Sequence, residues 1–304
     1  MNATTMNTTP RPAGLIAINA ATDAEKAACG ATVWWSLHGD VTVEALTDAL
    51  LTAESKALPP APPSPEVALR RAVESVAKVL GHLDVHCVKR GEWAIVGKPT
   101  ENDAHDGVQR QLVYPVDCTA KLVRPEGGGG EKYLVISGRG EDQIRAAYNA
   151  AQGILAPADI GNWLVDKVQA LGGIPLKDRG GVYFVSNTQL WKWQRIVKAL
   201  KACTKHVPGE LPTMHSDTAV ETIMTALTAD TQKVCDKIAA DIADGTLGTK
   251  ALATKKDVAA ELLARVAQYE TLLGAKLDQL RSAIAETEAA VATAALAASS
   301  EDGS

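Results

Sequence analysis

The chain has 304 residues, of which 46% are hydrophobic and 22% charged, a composition typical of a folded protein. Its five cysteines are scattered and odd in number, with no Cys-x-x-Cys pair, which argues against a secreted disulfide framework. The start, MNATTMNTTPRPAG, lacks the apolar stretch of a signal peptide, and no apolar run reaches the length of a membrane span, so we expect a cytoplasmic protein.

Charge is distributed unevenly along the chain. Residues 216–304 contain eight Lys and Arg and fourteen Asp and Glu, a net charge of −6 (8 − 14). Because the whole chain carries −5, the remaining residues carry about +1. The acidic C-terminal part is therefore not expected to grip a phosphate backbone, whereas the near-neutral remainder neither favours nor excludes nucleic acid.

The first half of the chain predicts an α+β domain over residues 15–156, after a flexible Thr- and Asn-rich N-terminus at residues 1–14. Five prolines in the segment 58–65, LPPAPPSP, predict a stiff polyproline-like connector. Four or five of the strands are expected to form an antiparallel sheet with helices on one face. Strands are predicted at 32–37, 84–89, 92–96, 108–117, 120–124 and 133–137, and helices at 43–55, 66–80 and 141–155.

Residues 157–215 predict a compact helix–hairpin–helix unit, whose hairpin is similar to the wing of a winged-helix domain. The pattern consists of a helix at 159–171, short strands at 174–177 and 182–185, and a helix at 188–203. Residues 207–214 contain two prolines and are expected to be a linker.

Residues 216–298 predict a long α-helical hairpin arm resembling a coiled coil, followed by a flexible tail at 299–304. The first helix ends near Asp244, and the second starts near Lys250 and runs for about 45 residues, about 70 Å at 1.5 Å per residue. Apolar residues recur at heptad spacing, with one stutter between Leu273 and Leu277. The predicted association seam consists of Val220, Met224, Leu227, Val234, Ile238, Leu262, Val266, Tyr269, Leu273, Leu277, Leu280, Ile284 and Val291.

The unequal lengths of the two predicted helices leave an apolar overhang on the second. Such a surface has to be covered, so the overhang predicts self-association into a homo-oligomer or binding of a helical protein partner. Packing of the arm on its own domain is the alternative, and the sequence does not decide between them.

Cations and tryptophans cluster in the helix predicted at 188–203 and in the hairpin before it. Nucleic-acid binding combines cations for phosphates with aromatic planes for bases, so this cluster is a possible nucleic-acid contact. The alternative is that Trp191 packs inward and that the lysines form a solvated face. The candidate contact residues are Lys177, Arg179, Trp191, Lys192, Trp193, Arg195, Lys198 and Lys201.

Two further motifs are too weak to predict a site. His82, His86 and Cys87 lie close together, but the only additional candidate metal ligand nearby is His105. The segment from Gly138 to Gly140 precedes a helix as in phosphate-binding loops, but the third glycine of that pattern is missing. We therefore predict no catalytic, metal-binding or cofactor-binding residues, and no enzymatic activity.

The segments NWLVDKVQALGGIPLKDRGGVYFVSNTQLWKWQRIVKAL and LPTM–SDTAVETI, followed by the helical arm, resemble a family of uncharacterised proteins. These proteins are encoded by phages, plasmids and some bacterial chromosomes. The resemblance implies a mobile-element context and supplies no catalytic residues.

These observations predict a non-enzymatic structural or interaction protein of a phage or other mobile element, which associates with itself or a partner through the C-terminal arm. The alternative is a nucleic-acid-binding accessory protein that uses residues 157–206.

Overall fold

Helices dominate the computed structural model, which describes residues 28–81, 83–101, 112–125, 130–177 and 181–301. The strands pair in antiparallel sheets, which confirms the predicted α+β class. No helix in these ranges is both long enough and apolar enough to cross a membrane.

The helices are α1 (Val43–Thr52), α2 (Pro65–Val79), α3 (Glu141–Ala151), α4 (Pro157–Ala170), α5 (Asn187–Cys203), α6 (Asp217–Ala243), α7 (Thr249–Leu273) and α8 (Asp278–Glu301). The strands are β1 (Ala28–Ser36), β2 (Val41–Thr42), β3 (Asp84–Lys89), β4 (Glu92–Val96), β5 (Thr100–Glu101), β6 (Leu112–Val113), β7 (Val116–Val123), β8 (Tyr133–Gly138), β9 (Ile154–Leu155), β10 (Ile174–Pro175), β11 (Val182–Ser186) and β12 (Val207–Met214).

The chain separates into two compact units that are not consecutive in sequence. The first unit takes its described residues from 28–36, 164–198 and 206–301, and the second from 37–163 and 199–205. The predicted flexible segment 1–14 lies outside the described residues.

The second unit contains the antiparallel sheet β3-β4-β7-β8, covered by α2 and α3. The β3–β4 hairpin has the predicted bounds. Helix α2 begins where the sequence indicated, because the Ser64 side chain accepts a hydrogen bond from the Val67 N–H and Pro65 occupies the first turn. Its Glu66 forms an ion pair with Lys132, just before β8. The shared core consists of Ala68, Leu69, Ala72, Val73, Val76, Ala77, Ile95, Cys118, Ala120, Ile136, Ile144 and Tyr148.

The strand predicted at 108–117 is divided in the structure. Residues 108–111 lie outside the described residues, and the rest of the segment belongs to β6 and to the start of β7. Pro115 separates the two strands, because it has no N–H to donate to a ladder.

The first unit is built on the antiparallel sheet β10-β11-β1-β12. Strand β1 was predicted as part of the N-terminal domain, but it pairs with β11 on one side and β12 on the other, with Trp34 opposite both Val182 and Gly209. The β10–β11 hairpin is therefore the edge of a four-stranded sheet, not the free wing that the sequence suggested.

Residues 207–214 form strand β12, so their interpretation as a linker was wrong. Pro208 and Pro212 suggested a linker, but proline is tolerated in an edge strand, and β12 is at the edge of the sheet.

The C-terminal part has three helices, so the predicted two-helix hairpin with a helix of about 45 residues was wrong. The stutter between Leu273 and Leu277 is a turn, in which Gly274 adopts the left-handed conformation with φ 65°. Helix α8 packs against both α7 and α6 and extends to Glu301, past the predicted start of the flexible tail at 299.

The core of the first unit joins one face of the sheet to these three helices. Phe184 of β11 contacts Tyr269 of α7, with ring centroids 6.1 Å apart. The Tyr269 hydroxyl donates a hydrogen bond of 2.9 Å to the carbonyl of Gly172, and burial raises the pKa of this phenol. The buried members are Cys29, Ile174, Phe184, Ile223, Leu227, Cys235, Ala259, Leu262, Val266, Tyr269, Leu273, Leu277, Leu280 and Ile284.

Candidate functional site

The predicted association seam lies inside the three-helix assembly of a single chain. Ten of its thirteen residues are buried, and Val220, Met224 and Val234 are half-buried. The overhang that motivated the association hypothesis is covered because α8 folds back after Gly274. Val220 and Met224 still line an open groove of about 780 Å³ along α6.

Helix α5 buries Trp193 and Ile196, which are 0% and 3% exposed. The Trp193 ring lies 5.8 Å from the ring of Trp35, which stacks on Tyr183 at 5.5 Å. Within the described part of the chain, the indole Nε1 of Trp193 has no hydrogen-bond partner. Trp193 was predicted to contact nucleic acid, but a fully buried ring cannot do so, and this part of the prediction was wrong.

The opposite side of α5 carries an exposed tryptophan with two cations beside it. Trp191 is 48% exposed, which also contradicts the alternative that it packs inward. The Arg195 guanidinium lies 5.0 Å from the Trp191 ring centroid, and the Lys192 ammonium lies 5.6 Å from it. Lys198 is exposed one turn beyond Arg195. We call Trp191, Lys192, Arg195 and Lys198 the α5 basic surface.

Hydrogen bonds occupy positions beside this surface. The Gln194 amide donates to a carboxylate oxygen of Glu210 on β12, at 2.9 Å. At the start of α5, the Gln268 amide of α7 donates to the hydroxyls of Ser186 and Thr188, at 3.1 and 3.2 Å. The α5 basic surface therefore has a carboxylate on one side, and the N-terminal end of its helix is tied to α7.

The remaining candidate contact residues are not included in the α5 basic surface. Lys177 is exposed beyond β10, and Lys201 is exposed on the part of α5 that belongs to the second unit. Arg179 lies outside the described residues.

A cleft of about 700 Å³ in the first unit was not anticipated from the sequence. The Arg265 guanidinium donates to an Asp230 carboxylate oxygen at 2.7 Å, and Glu261, Gln169 and Gln189 also line the cleft. The residues come from four helices and have no shared spacing, so no local sequence pattern could have identified them.

The weaker motifs have structural explanations where they are described. Gly138 lies so close to β7 that an added Cβ would be 2.3 Å from the Asp117 carbonyl oxygen, which explains this glycine without a phosphate. The His86 ring lies 5.3 Å from that of Tyr114. His82 and His105 lie outside the described residues. Among those that are described, no group of three or more His, Cys, Asp and Glu side chains is arranged to hold a metal ion.

Comparison with known proteins places the chain in a family. A family model described as "Family of unknown function (DUF6744)" matches residues 28–302, and the chain belongs to this family. No curated protein and no solved structure matches the chain.

Proposed function

We propose that this protein is a non-enzymatic nucleic-acid-binding protein that contacts its ligand through the α5 basic surface. The observation that carries the proposal is the exposed indole of Trp191 with the cations of Lys192 and Arg195 over its ring. An aromatic plane next to positive charges is the combination with which proteins bind bases and phosphates together.

The charge of α5 supports this choice of ligand. The helix contains Lys192, Arg195, Lys198 and Lys201 and no Asp or Glu, within a chain whose net charge is −5. A local concentration of cations on an otherwise acidic protein favours an anionic partner at that place.

Self-association through the arm has less support, because most seam residues are buried within one chain. We also propose that the protein is encoded by a phage or plasmid, as the resemblance suggests, and that it is cytoplasmic. A nucleic-acid ligand is compatible with both.

The test is fluorescence anisotropy with a labelled oligothymidine of about 16 nucleotides, at salt concentrations from about 50 to 200 mM. Three phosphate contacts by Lys192, Arg195 and Lys198 predict that log K falls with log salt with a slope of about −2 (3 × −0.7). Replacing Lys192→Glu and Lys198→Glu together is expected to weaken binding at least about tenfold and to flatten the slope by about 1.4 (2 × 0.7).

The matched control is the double variant Lys233→Glu and Lys256→Glu. It has the same net charge as the first double variant, but it changes exposed lysines of α6 and α7. It should bind like the wild type. Absence of binding by the wild type, or equal loss in both double variants, would overturn the proposal.

A further inference from the structure

We infer that the α5 basic surface is a site for single-stranded nucleic acid, on which an unpaired base stacks against Trp191. This inference rests on the proposed function and specifies its ligand. Stacking on an indole requires a free base face, which is available in a single strand and hidden inside a duplex.

The position of Trp191 is set by the burial of its neighbour. Residues two apart in an α-helix point about 200° apart around the axis, since each residue turns about 100°. Trp193 is fully buried against Trp35, so Trp191 has to face away from the core. The exposed indole therefore stands on a rigid helix, and the Lys192 and Arg195 side chains that lie over its ring have to move aside when a base stacks on it.

The attachment of α5 disfavours reading of a duplex. Recognition helices enter the major groove with their N-terminal residues against the base edges. At the N-terminal end of α5, Ser186 and Thr188 accept hydrogen bonds from Gln268, so α7 occupies the space that a groove would need. The accessible part of the helix is its side, which suits a strand that crosses it.

The spacing of the cations fits a short contact. Arg195 and Lys198 follow Trp191 by four and seven residues, so they lie on the same face of the helix. Lys192 and Lys198 are six residues apart, about 9 Å along the axis (6 × 1.5 Å). A strand whose base stacks on Trp191 therefore has cations beside its adjoining phosphates.

The experiment compares four labelled ligands of equal length with the full-length protein: oligothymidine, oligouridine, an abasic single strand and a DNA duplex. Oligothymidine is expected to bind about tenfold or more tightly than the abasic strand and the duplex, because these offer phosphates without an accessible base face. The oligouridine arm establishes whether RNA or DNA is preferred.

The variant Trp191→Ala should weaken binding of oligothymidine about tenfold and leave binding of the abasic strand unchanged, while Trp191→Phe keeps most of the affinity. Tyr133→Ala, which removes a 52% exposed aromatic ring in the second unit, is the control and should bind normally.

Two results would overturn the inference. The first is that the duplex or the abasic strand binds as tightly as oligothymidine and shows the same slope of log K against log salt of about −2. The protein would then bind nucleic acid without base stacking. If Trp191→Ala binds oligothymidine like the wild type while the lysine double variant does not, the indole is not the stacking plane. Failure to bind any of the four ligands would reject the proposed function itself.

Discussion

Arg281 of α8 and Glu270 of α7 form a bidentate contact across the turn that reverses the chain. The Arg281 Nε donates to both carboxylate oxygens of Glu270 at 3.0 Å, and the Leu277 N–H donates to one of them at 2.9 Å. One carboxylate thereby satisfies a backbone donor at the start of α8 and an arginine of its first turn. This contact holds α8 against α7.

We predict that Glu270 makes stability depend on pH in the acid range. The Arg281 guanidinium lowers the pKa of Glu270 from its usual 4.5 to about 2. A lowered folded-state pKa stabilises the protein fully above the unfolded value, and this stabilisation is lost as pH falls from 4.5 towards about 2. Urea unfolding should therefore show that the free-energy advantage of wild type over Glu270→Gln shrinks in this interval.

The control for Glu270 is Glu286→Gln, which changes an exposed carboxylate elsewhere on the same pair of helices. As a surface substitution, it should change the free energy of unfolding by no more than about 0.5 kcal/mol. A pH-independent difference for Glu270→Gln would show that the carboxylate is not held by Arg281 in solution.

Gly274→Ala should destabilise the protein by about 1 kcal/mol. Apart from its chain neighbours, no atom of the described residues lies within 4 Å of a Cβ added to Gly274, so the cost comes from placing an L-residue at φ 65°. Gly153→Ala is the matched control, because Gly153 also has open space around an added Cβ but is not among the glycines with positive φ. It should not destabilise the protein, because alanine can adopt this backbone conformation and restricts the unfolded chain. Equal effects of the two substitutions would contradict the left-handed turn.

Gly30→Ala should destabilise the first unit by about 2 kcal/mol or more. An added Cβ would be 2.2 Å from the carbonyl oxygen of Val185 and 2.6 Å from the Phe184 ring, so the sheet or the core has to shift. Gly153→Ala should change stability little when measured by the same thermal or urea unfolding, because an added Cβ there meets no atom of the described residues within 4 Å beyond its chain neighbours. A Gly30→Ala variant as stable as wild type would disprove the pairing of β1 with β11.

Glu54→Gly is expected to stabilise the protein by about 0.5–1 kcal/mol. Glu54 follows α1 with φ 54°, and its N–H bonds to the Leu51 carbonyl while the Ser55 N–H bonds to that of Leu50. This is a Schellman motif, in which glycine avoids the strain of a side chain. Glu54→Ala keeps the strain and should not stabilise. A gain for alanine equal to that for glycine would locate the effect in the side chain.

Local elements were predictable from the sequence where short-range patterns decide them. The β3–β4 hairpin has the predicted bounds because its turn and its flanking strands are adjacent in the chain. The partners of β1 were not predictable, since its side-chain pattern carries no information about strands some 150 residues away. The turn at Gly274 was missed because a four-residue step between Leu273 and Leu277 fits a continuous helix as well as a break.

The candidate site was only partly predictable for a related reason. The cations of α5 are evident from the sequence, but Trp191 and Trp193 have the same chemistry. Helical periodicity requires only that they face different sides. Which of them is exposed depends on Trp35 and Tyr183, which belong to strands β1 and β11.

The pairing of β1 with β11 has a consequence for biosynthesis. Gly30 pairs with Ser186, so β1 leaves the ribosome about 150 residues before its partner is translated. At a translation rate of 5–20 residues per second, this interval is on the order of 10 s. During this time Trp34 and Trp35 lack their native neighbours. The nascent chain therefore presents an unpaired aromatic strand for far longer than most folding steps take, which makes chaperone binding during translation an expected part of its maturation.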